Sequence, residues 1–135
     1  MARASFWLSH GSMGIKRLDD LVAFKEAVAF KVEVYALVRR SAGADRDFRY
    51  RDQLFDAASS VEANIAEGWR RFAAPDMIRF LRYATGSLEE ARVRLLDGVD
   101  RGYFTREACD GALVHAARCG AATTNLIKSL ERFRK

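Results

Sequence analysis

Apolar residues recur every three or four positions along four long stretches of the chain, the spacing that places side chains on one face of an α-helix. The first stretch follows Asp19 or Asp20, either of which would suit the N-cap position. Its apolar stripe consists of Leu21, Phe24, Val28, Val32, Tyr35 and Val38. Arg39 and Arg40 then suit a helix C-terminus, and residues 41–45, SAGAD, are predicted to form a loop.

Three further stripes predict three further long helices. The second helix begins near Asp47, and its stripe is Leu54, Ala58, Val61, Ile65, Gly68 and, at its end, Phe72. The third begins at Pro75, a residue suited to the first helical position, and its stripe is Phe80, Ala84, Ser87 or Leu88, Ala91, Leu95 and Val99. Gly102 ends the third helix and Thr105 caps the fourth. The fourth stripe is Ala108, Ala112, Ala116, Cys119, Thr123, Leu126 or Ile127, and Leu130.

Four long helices with short connections predict the all-α class. Short connections make successive helices antiparallel, so the simplest arrangement is an up-down-up-down four-helix bundle over residues 18–135. The sequence contains one proline, Pro75, and shows no strand-like alternation. Residues 1–17 are predicted to be a flexible N-terminal extension, with Met13 as an alternative start.

Gly68 continues the core stripe of the second helix, although a glycine inside a helix costs about 1 kcal/mol relative to alanine. We favour close approach of a neighbouring helix as the explanation. Gly86 and Ser87 form a second patch of small residues at which the second and third helices would meet. The alternative is that Gly68 ends its helix as a C-terminal cap. Phe72, one step further along the stripe, favours close approach.

A polar stripe runs beside that core stripe. Ser60, Asn64, Glu67 and Arg71 are spaced by four, three and four residues and therefore share a helix face. They are interpreted as a polar seam, partly buried against another helix or subunit, in which Asn64 and Glu67 fix the register. The alternative is a solvated surface, where the Glu67–Arg71 pair would contribute roughly a few tenths of a kcal/mol.

Charge and cysteine content restrict the class of partner and compartment. The formal net charge is +5, which is compatible with binding nucleic acid or an acidic membrane surface but is also common in proteins that bind neither. Cys109 and Cys119 are about 15 Å apart along one predicted helix, too far for a disulfide. They are interpreted as packing residues of a reduced, cytoplasmic protein. No apolar run reaches the length of a membrane span, and residues 1–17 make a poor signal peptide.

No sequence pattern indicates catalysis, a cofactor or a metal. The Glu-x-x-His pairs that hold di-iron centres in helical bundles are missing, and the two histidines are His10 and His115. His115 is interpreted as a packed or half-exposed residue. Arg106 lies too far from it for the Arg–His spacing of helical-bundle ribonucleases, and GWRRFAAPD lacks the P-loop pattern. We therefore expect a protein that is not an enzyme.

Three segments carry a resemblance to a known family. QLFDAASSVEANIAEGWRR is followed by MIRFLRYATGSLEEA and, near the C-terminus, by NLIKSLERF. Together they resemble the 23S rRNA-intervening-sequence proteins, which are small bacterial four-helix-bundle proteins, across about residues 18–133. Phe24 stands where the family's opening helix often has tryptophan, and Glu62 where proline is frequent.

The resemblance implies a homopentamer, a ring around a central channel. It also implies a fold related to the accessory proteins of diversity-generating retroelements, which form basic pentamers that bind nucleic acid. Candidate partners are therefore further copies of the chain, RNA or DNA, and a reverse transcriptase, and no catalytic activity is implied. The alternative is a structural or protein-binding oligomer that does not contact nucleic acid.

Two sets of candidate site residues follow. The candidate oligomer interface comprises Ser60, Asn64, Glu67, Gly68, Trp69, Arg71 and Glu90. Trp69 and Phe72 are its candidate aromatic contacts, with local packing as the alternative. The candidate nucleic-acid contacts are Arg70, Arg71, Arg79, Arg82, Lys128, Arg132, Arg134 and Lys135.

Overall fold

The computed structural model describes residues 17–133. Its elements in chain order are a 3-10 turn Leu18–Asp20, helix α1 (Val22–Arg40), a short helix α2 (Ala42–Arg46), α3 (Phe48–Trp69), α4 (Ala74–Asp100), a 3-10 turn Glu107–Cys109, and α5 (Asp110–Phe133). The described part of the chain is helical and contains no strand, so the predicted all-α class is confirmed. Residues 1–16 of the predicted extension, Met13 among them, and the basic residues Arg134 and Lys135 lie outside it.

The four long helices pack side by side around one core. Helix α3 lies against α1 and α4, and α5 lies against the same two helices from the other side. An ion pair joins Lys31 of α1 to Glu62 of α3, and Arg82 of α4 donates to Glu131 of α5 at 3.0 Å. The second link joins the first half of α4 to the last turn of α5, as an antiparallel up-down-up-down order requires.

The core stripes of α3, α4 and α5 follow the predicted spacing. Buried members of the predicted stripes are Leu54, Ala58, Val61, Ile65, Gly68, Ala84, Leu88, Ala91, Leu95, Ala112, Ala116, Cys119, Thr123 and Leu130. Four further predicted members are only partly buried, namely Phe80, Val99, Leu126 and Ile127, and two are exposed. Phe72 follows the end of α3 and is 62% exposed, and Ala108 is exposed while its neighbour Cys109 is buried. Both errors fall at helix ends, where the chain leaves the helical path on which the spacing depends.

The stripe predicted for α1 is confirmed at its two ends, where Leu21 and Val38 are buried, but is wrong in phase between them. Val32 is 56% exposed, and Phe24, Val28 and Tyr35 are only partly buried. The core-facing residues are Ala23, Ala27, Phe30, Val34, Leu37 and Val38. Nearly every side of α1 carries apolar residues, so apolar spacing does not determine which side faces inward. The structure places Ala23 and Ala27 inward, where small side chains let helices pack closely.

The connections are also more ordered than predicted. Residues 42–46 form α2, because the Ser41 hydroxyl accepts from the backbone N–H of Ala44 at 3.2 Å and caps this turn. Leu21, rather than Asp19 or Asp20, occupies the N-cap position of α1. Helix α3 begins next to Asp47, as predicted, and Asp47 caps it by accepting from the Tyr50 N–H at 3.2 Å. Gly102, with φ of +82°, follows the end of α4, a conformation that favours glycine.

Candidate nucleic-acid and oligomer surfaces

One residue of the predicted seam, Ser60, forms a hydrogen bond between α3 and α4 of one chain. The Ser60 hydroxyl oxygen lies 2.9 Å from that of Ser87 in α4. The Asn64 side-chain amide donates to the backbone oxygen of Ser60 at 2.9 Å and to its hydroxyl at 3.0 Å. The Ser60–Ser87 contact crosses from α3 to α4, whereas both bonds from Asn64 stay within α3 and hold the Ser60 hydroxyl from behind.

At its C-terminal end the seam becomes charged and aromatic. Arg71 donates to Glu67 at 2.8 Å, and its Cζ atom lies 4.6 Å from the centre of the Phe80 ring. Arg70 also lies 3.9 Å from the Glu67 carboxylate. The side chains of Glu67 and Arg71 are both 38% exposed, so this edge of the seam is open to solvent.

Gly68 lies at a close approach of α3 to α4. A Cβ atom at this position would lie 3.3 Å from the Met77 carbonyl oxygen and 3.3 Å from the Phe80 Cβ. The glycine is buried inside α3, with no positive φ, so close approach is confirmed and the capping alternative is wrong. The expectation for Gly86 is wrong, because a Cβ there would meet nothing within 4 Å. Trp69, the last residue of α3, is partly buried against the core.

At its opposite end, the seam includes Gln53, a residue that was not predicted to belong to it. Arg94 of α4 donates to the Gln53 side-chain oxygen at 2.9 Å and to Glu90 at 3.4 Å. Gln53 lies seven residues before Ser60, on the same face of α3, so helical spacing could have added it to the seam. Glu90, a predicted interface residue, is exposed and is linked to this line through Arg94.

A second polar cluster ties the ends of α3 and α4 to the loop that follows α4. The Tyr103 hydroxyl donates to the Asp47 carboxylate at 2.5 Å, and Arg101 donates to the same oxygen at 3.3 Å. The Tyr103 hydrogen bond, followed by the one from the Tyr50 N–H, lowers the pKa of Asp47 below its ordinary value. Sequence spacing gave no signal for this cluster, because Tyr103 lies in a loop 56 positions from Asp47.

The predicted nucleic-acid residues within the described range gather at one end of the bundle. The antiparallel order brings residues 17–25, 67–82 and 128–133 together, and these segments hold eight basic and five acidic side chains. At the other end, residues 38–52 and 97–110 hold seven of each. The described part of the chain therefore carries an excess of positive charge at one end. Arg79 lies 3.6 Å from Asp76, and Arg82 bonds Glu131, so part of that charge is paired.

Cys109, Cys119 and His115 pack between the helices and do not form a common site in the described part of the chain. Cys109 and Cys119 are free and fully buried, and burial raises the pKa of Cys119 to about 11. His115 in α5 is partly buried, and its Nδ1 lies 2.5 Å from a Glu26 carboxylate oxygen of α1. Residues 17–133 contain no cluster of three or more His, Cys, Asp or Glu side chains that could hold a metal ion. None of the helices described is long and apolar enough to cross a membrane.

These features define a class, namely small all-helical proteins in which long helices pack around a single core. Within that class, the family model of the 23S rRNA-intervening sequence protein matches residues 19–125, and the chain belongs to this family. A comparison with curated proteins found no significant match.

Proposed function

We propose that this protein is a non-enzymatic homo-oligomer, a ring of five chains, whose basic end binds the phosphate backbone of RNA or DNA. The observation that supports nucleic-acid binding is the excess of basic side chains at the end formed by residues 17–25, 67–82 and 128–133. Among these residues, the side chains of Arg70 and Arg82 are 77% and 61% exposed.

Assembly multiplies this charge. One chain carries a formal charge of +5, and five chains would carry about +25. Contacts between basic side chains and phosphates release counterions, so affinity falls steeply with salt as more phosphates are contacted. Such contacts position the nucleic acid without reading its bases, so we expect little sequence preference.

The partly exposed apolar side of α1 supports assembly. Phe24, Val28 and Tyr35 lie partly buried along it, and Val32 is exposed between them. On the adjacent flank of α3, the Phe55 ring packs 4.3 Å from the Tyr35 ring, centre to centre. A surface of this kind contacts a different surface of the next subunit in a head-to-tail interface, and a head-to-tail interface closes into a ring when the rotation fits. The exposed edge of the seam, Glu67 and Arg71, would be a second part of the contact.

A salt titration with paired variants tests nucleic-acid binding. We expect filter binding of RNA or DNA to weaken steeply between about 50 and 200 mM salt. The double variant Arg82→Gln, Lys128→Gln should weaken binding and reduce the salt slope. The double variant Arg46→Gln, Arg49→Gln, exposed at the opposite end, is the matched control and should leave both unchanged. Absence of binding at low salt would refute the proposal.

Light scattering after size exclusion tests the ring. Five chains of 15.2 kDa would give about 76 kDa. Val32→Asp on α1 should lower the mass, whereas Val114→Asp, at a 46% exposed valine of α5, should not. A wild-type mass near that of one chain would contradict ring assembly.

The alternative function is a structural or protein-binding oligomer without nucleic-acid contact. It is favoured by a groove of about 520 Å³ between α4 and α5, which is lined largely by small and apolar residues. A partner helix would fit against such a surface. A reverse transcriptase is the candidate protein partner in either case, and co-purification of the two chains would support that pairing.

A further inference from the structure

The N-terminal half of α4 presents an aromatic pair toward the surface of the basic end. The Phe80 and Tyr83 rings lie 5.6 Å apart, centre to centre, and are nearly perpendicular at 88°. Phe80 is partly buried, whereas Tyr83 is 49% exposed. A large aromatic ring that is half exposed on a helix leaves apolar surface in water, so it is a candidate contact for a planar apolar group.

Guanidinium groups surround this pair. The Cζ atoms of Arg71 and Arg79 lie 4.6 Å and 4.8 Å from the centre of the Phe80 ring, and Arg79 Cζ also lies 5.9 Å from that of Tyr83. Arg82 lies three residues after Arg79 in α4, and its side chain is 61% exposed. Ring faces and fixed positive charges therefore lie within one helical turn of each other.

This combination fits one chemical class of ligand. A strand with unpaired bases offers flat aromatic faces that stack on protein rings, and phosphates that pair with arginine. A duplex offers the same phosphates, but its bases already stack on each other and their faces are closed to the protein. The exposed ring adds nothing to the binding of a duplex, so it favours single strands.

We propose that Tyr83, flanked by Arg79 and Arg82, is a stacking site for an unpaired base of single-stranded RNA or DNA. The inference rests on the proposed binding of nucleic acid and names the form that is bound. Arg79 and Arg82 contact the flanking phosphates, and the Tyr83 ring stacks on the unpaired base between those phosphates.

Binding of fluorescent oligonucleotides tests the site. The probes are single-stranded RNA and single-stranded DNA of about ten nucleotides, each with a central 2-aminopurine, and a blunt-ended duplex of two complementary strands of that length. Stacking should quench the 2-aminopurine, and both single strands should bind more tightly than the duplex. Comparing the two strands distinguishes which nucleic acid the site prefers.

Three variants isolate the ring. Tyr83→Leu should weaken single-strand binding about five- to tenfold, abolish the quenching and leave the salt slope unchanged. Tyr83→Phe keeps the ring and should restore both affinity and quenching. Phe48→Leu is the matched control, because Phe48 is 64% exposed and has the Arg51 guanidinium 4.8 Å from its ring, but lies at the end without excess charge. It should bind like the wild type.

Several results would overturn the inference. These are equal binding of duplex and single strand, no effect of Tyr83→Leu, an equal effect of Phe48→Leu, or a changed oligomer mass in Tyr83→Leu. The last would mean that Tyr83 contacts another subunit. If Arg82→Gln with Lys128→Gln weakens binding while Tyr83→Leu does not, the stacking site is refuted and backbone binding stands. Absence of any binding at low salt refutes both.

Discussion

Gly98 and Gly86 lie in the same helix, α4, yet the structure predicts opposite effects when each is replaced by alanine. A Cβ atom at Gly98 would lie 2.2 Å from the Tyr50 hydroxyl oxygen and 2.4 Å from an atom of the Phe104 ring. Tyr50 is 2% exposed and Phe104 is 7% exposed, so neither ring can swing into solvent. At Gly86, a Cβ would meet nothing within 4 Å.

The magnitudes follow from three terms. Forcing an extra methyl group into a packed core costs about 1–3 kcal/mol. Displacing Tyr50 also weakens its 2.7 Å hydrogen bond to the Arg94 carbonyl, a further loss of about 1 kcal/mol. Replacing glycine by alanine inside a helix recovers about 1 kcal/mol. We therefore expect Gly98→Ala to lower the free energy of unfolding by about 1–3 kcal/mol, and Gly86→Ala to raise it by about 1 kcal/mol.

Urea unfolding followed by circular dichroism measures both changes, with the oligomer mass checked for each variant. The two proteins share the same substitution in the same helix, so their difference isolates the surroundings of each Cβ. If Gly98→Ala proved as stable as the wild type, the packing of Tyr50 and Phe104 over α4 would be wrong. A destabilised Gly86→Ala with unchanged mass would contradict the open surroundings of that glycine.

Three further predictions concern single side chains. Hydrogen bonding from Tyr103 lowers the pKa of Asp47, so this carboxylate stabilises the fold at pH values above about 4, the ordinary carboxyl pKa. The contribution is lost as the pH falls from there through the lowered pKa. Asp47→Asn should therefore flatten the acid-unfolding curve in that range. Cys119, with a pKa of about 11, should be ionised in about one molecule per thousand at pH 8, so Ellman's reagent should label it only after urea is added; fast labelling of the native protein would contradict its burial. A double-mutant cycle of Ser60→Ala and Ser87→Ala should give a coupling of about 0.5–1.5 kcal/mol in urea unfolding, whereas strict additivity would mean that the 2.9 Å contact contributes nothing.

Helical spacing was sufficient to predict the buried face of those helices in which only one face is apolar. Leu54, Val61 and Ile65 share one side of α3 and polar residues occupy the other, so the sequence leaves one way to bury the helix. Gly68 could be recognised as a packing position because it continued that stripe at an energetic cost. Spacing alone could not show that Gly86 differs from Gly68, because it does not reveal which neighbour, if any, a helix face contacts.

The candidate surfaces were predictable to the extent that topology determines them. Arg70 lies in the connection between α3 and α4, Arg82 lies in the first third of α4, and Lys128 lies near the end of α5, so the up-down order brings them to one end. Their pairing with acidic residues was not predictable, because Arg82 meets Glu131 across 49 positions of sequence. The bond between Asp47 and Tyr103 was missed for the same reason: a loop side chain follows no helical period.

Helix α1 is where apolar spacing gave the wrong answer, and the physical cause of that error bears on assembly. A helix that only had to pack in one bundle would need one apolar face, and its outer residues would be free to be polar. In α1 the core is made by Ala27, Phe30 and Val34, yet Val28 and Val32 on the other side are apolar too. Exposed valine and partly exposed aromatic side chains leave apolar surface in water, and contact with another chain removes that surface from water. The second apolar face that obscured the spacing is therefore the feature of this chain that best supports a subunit contact, and Val32 is the residue at which a charge tests it most directly.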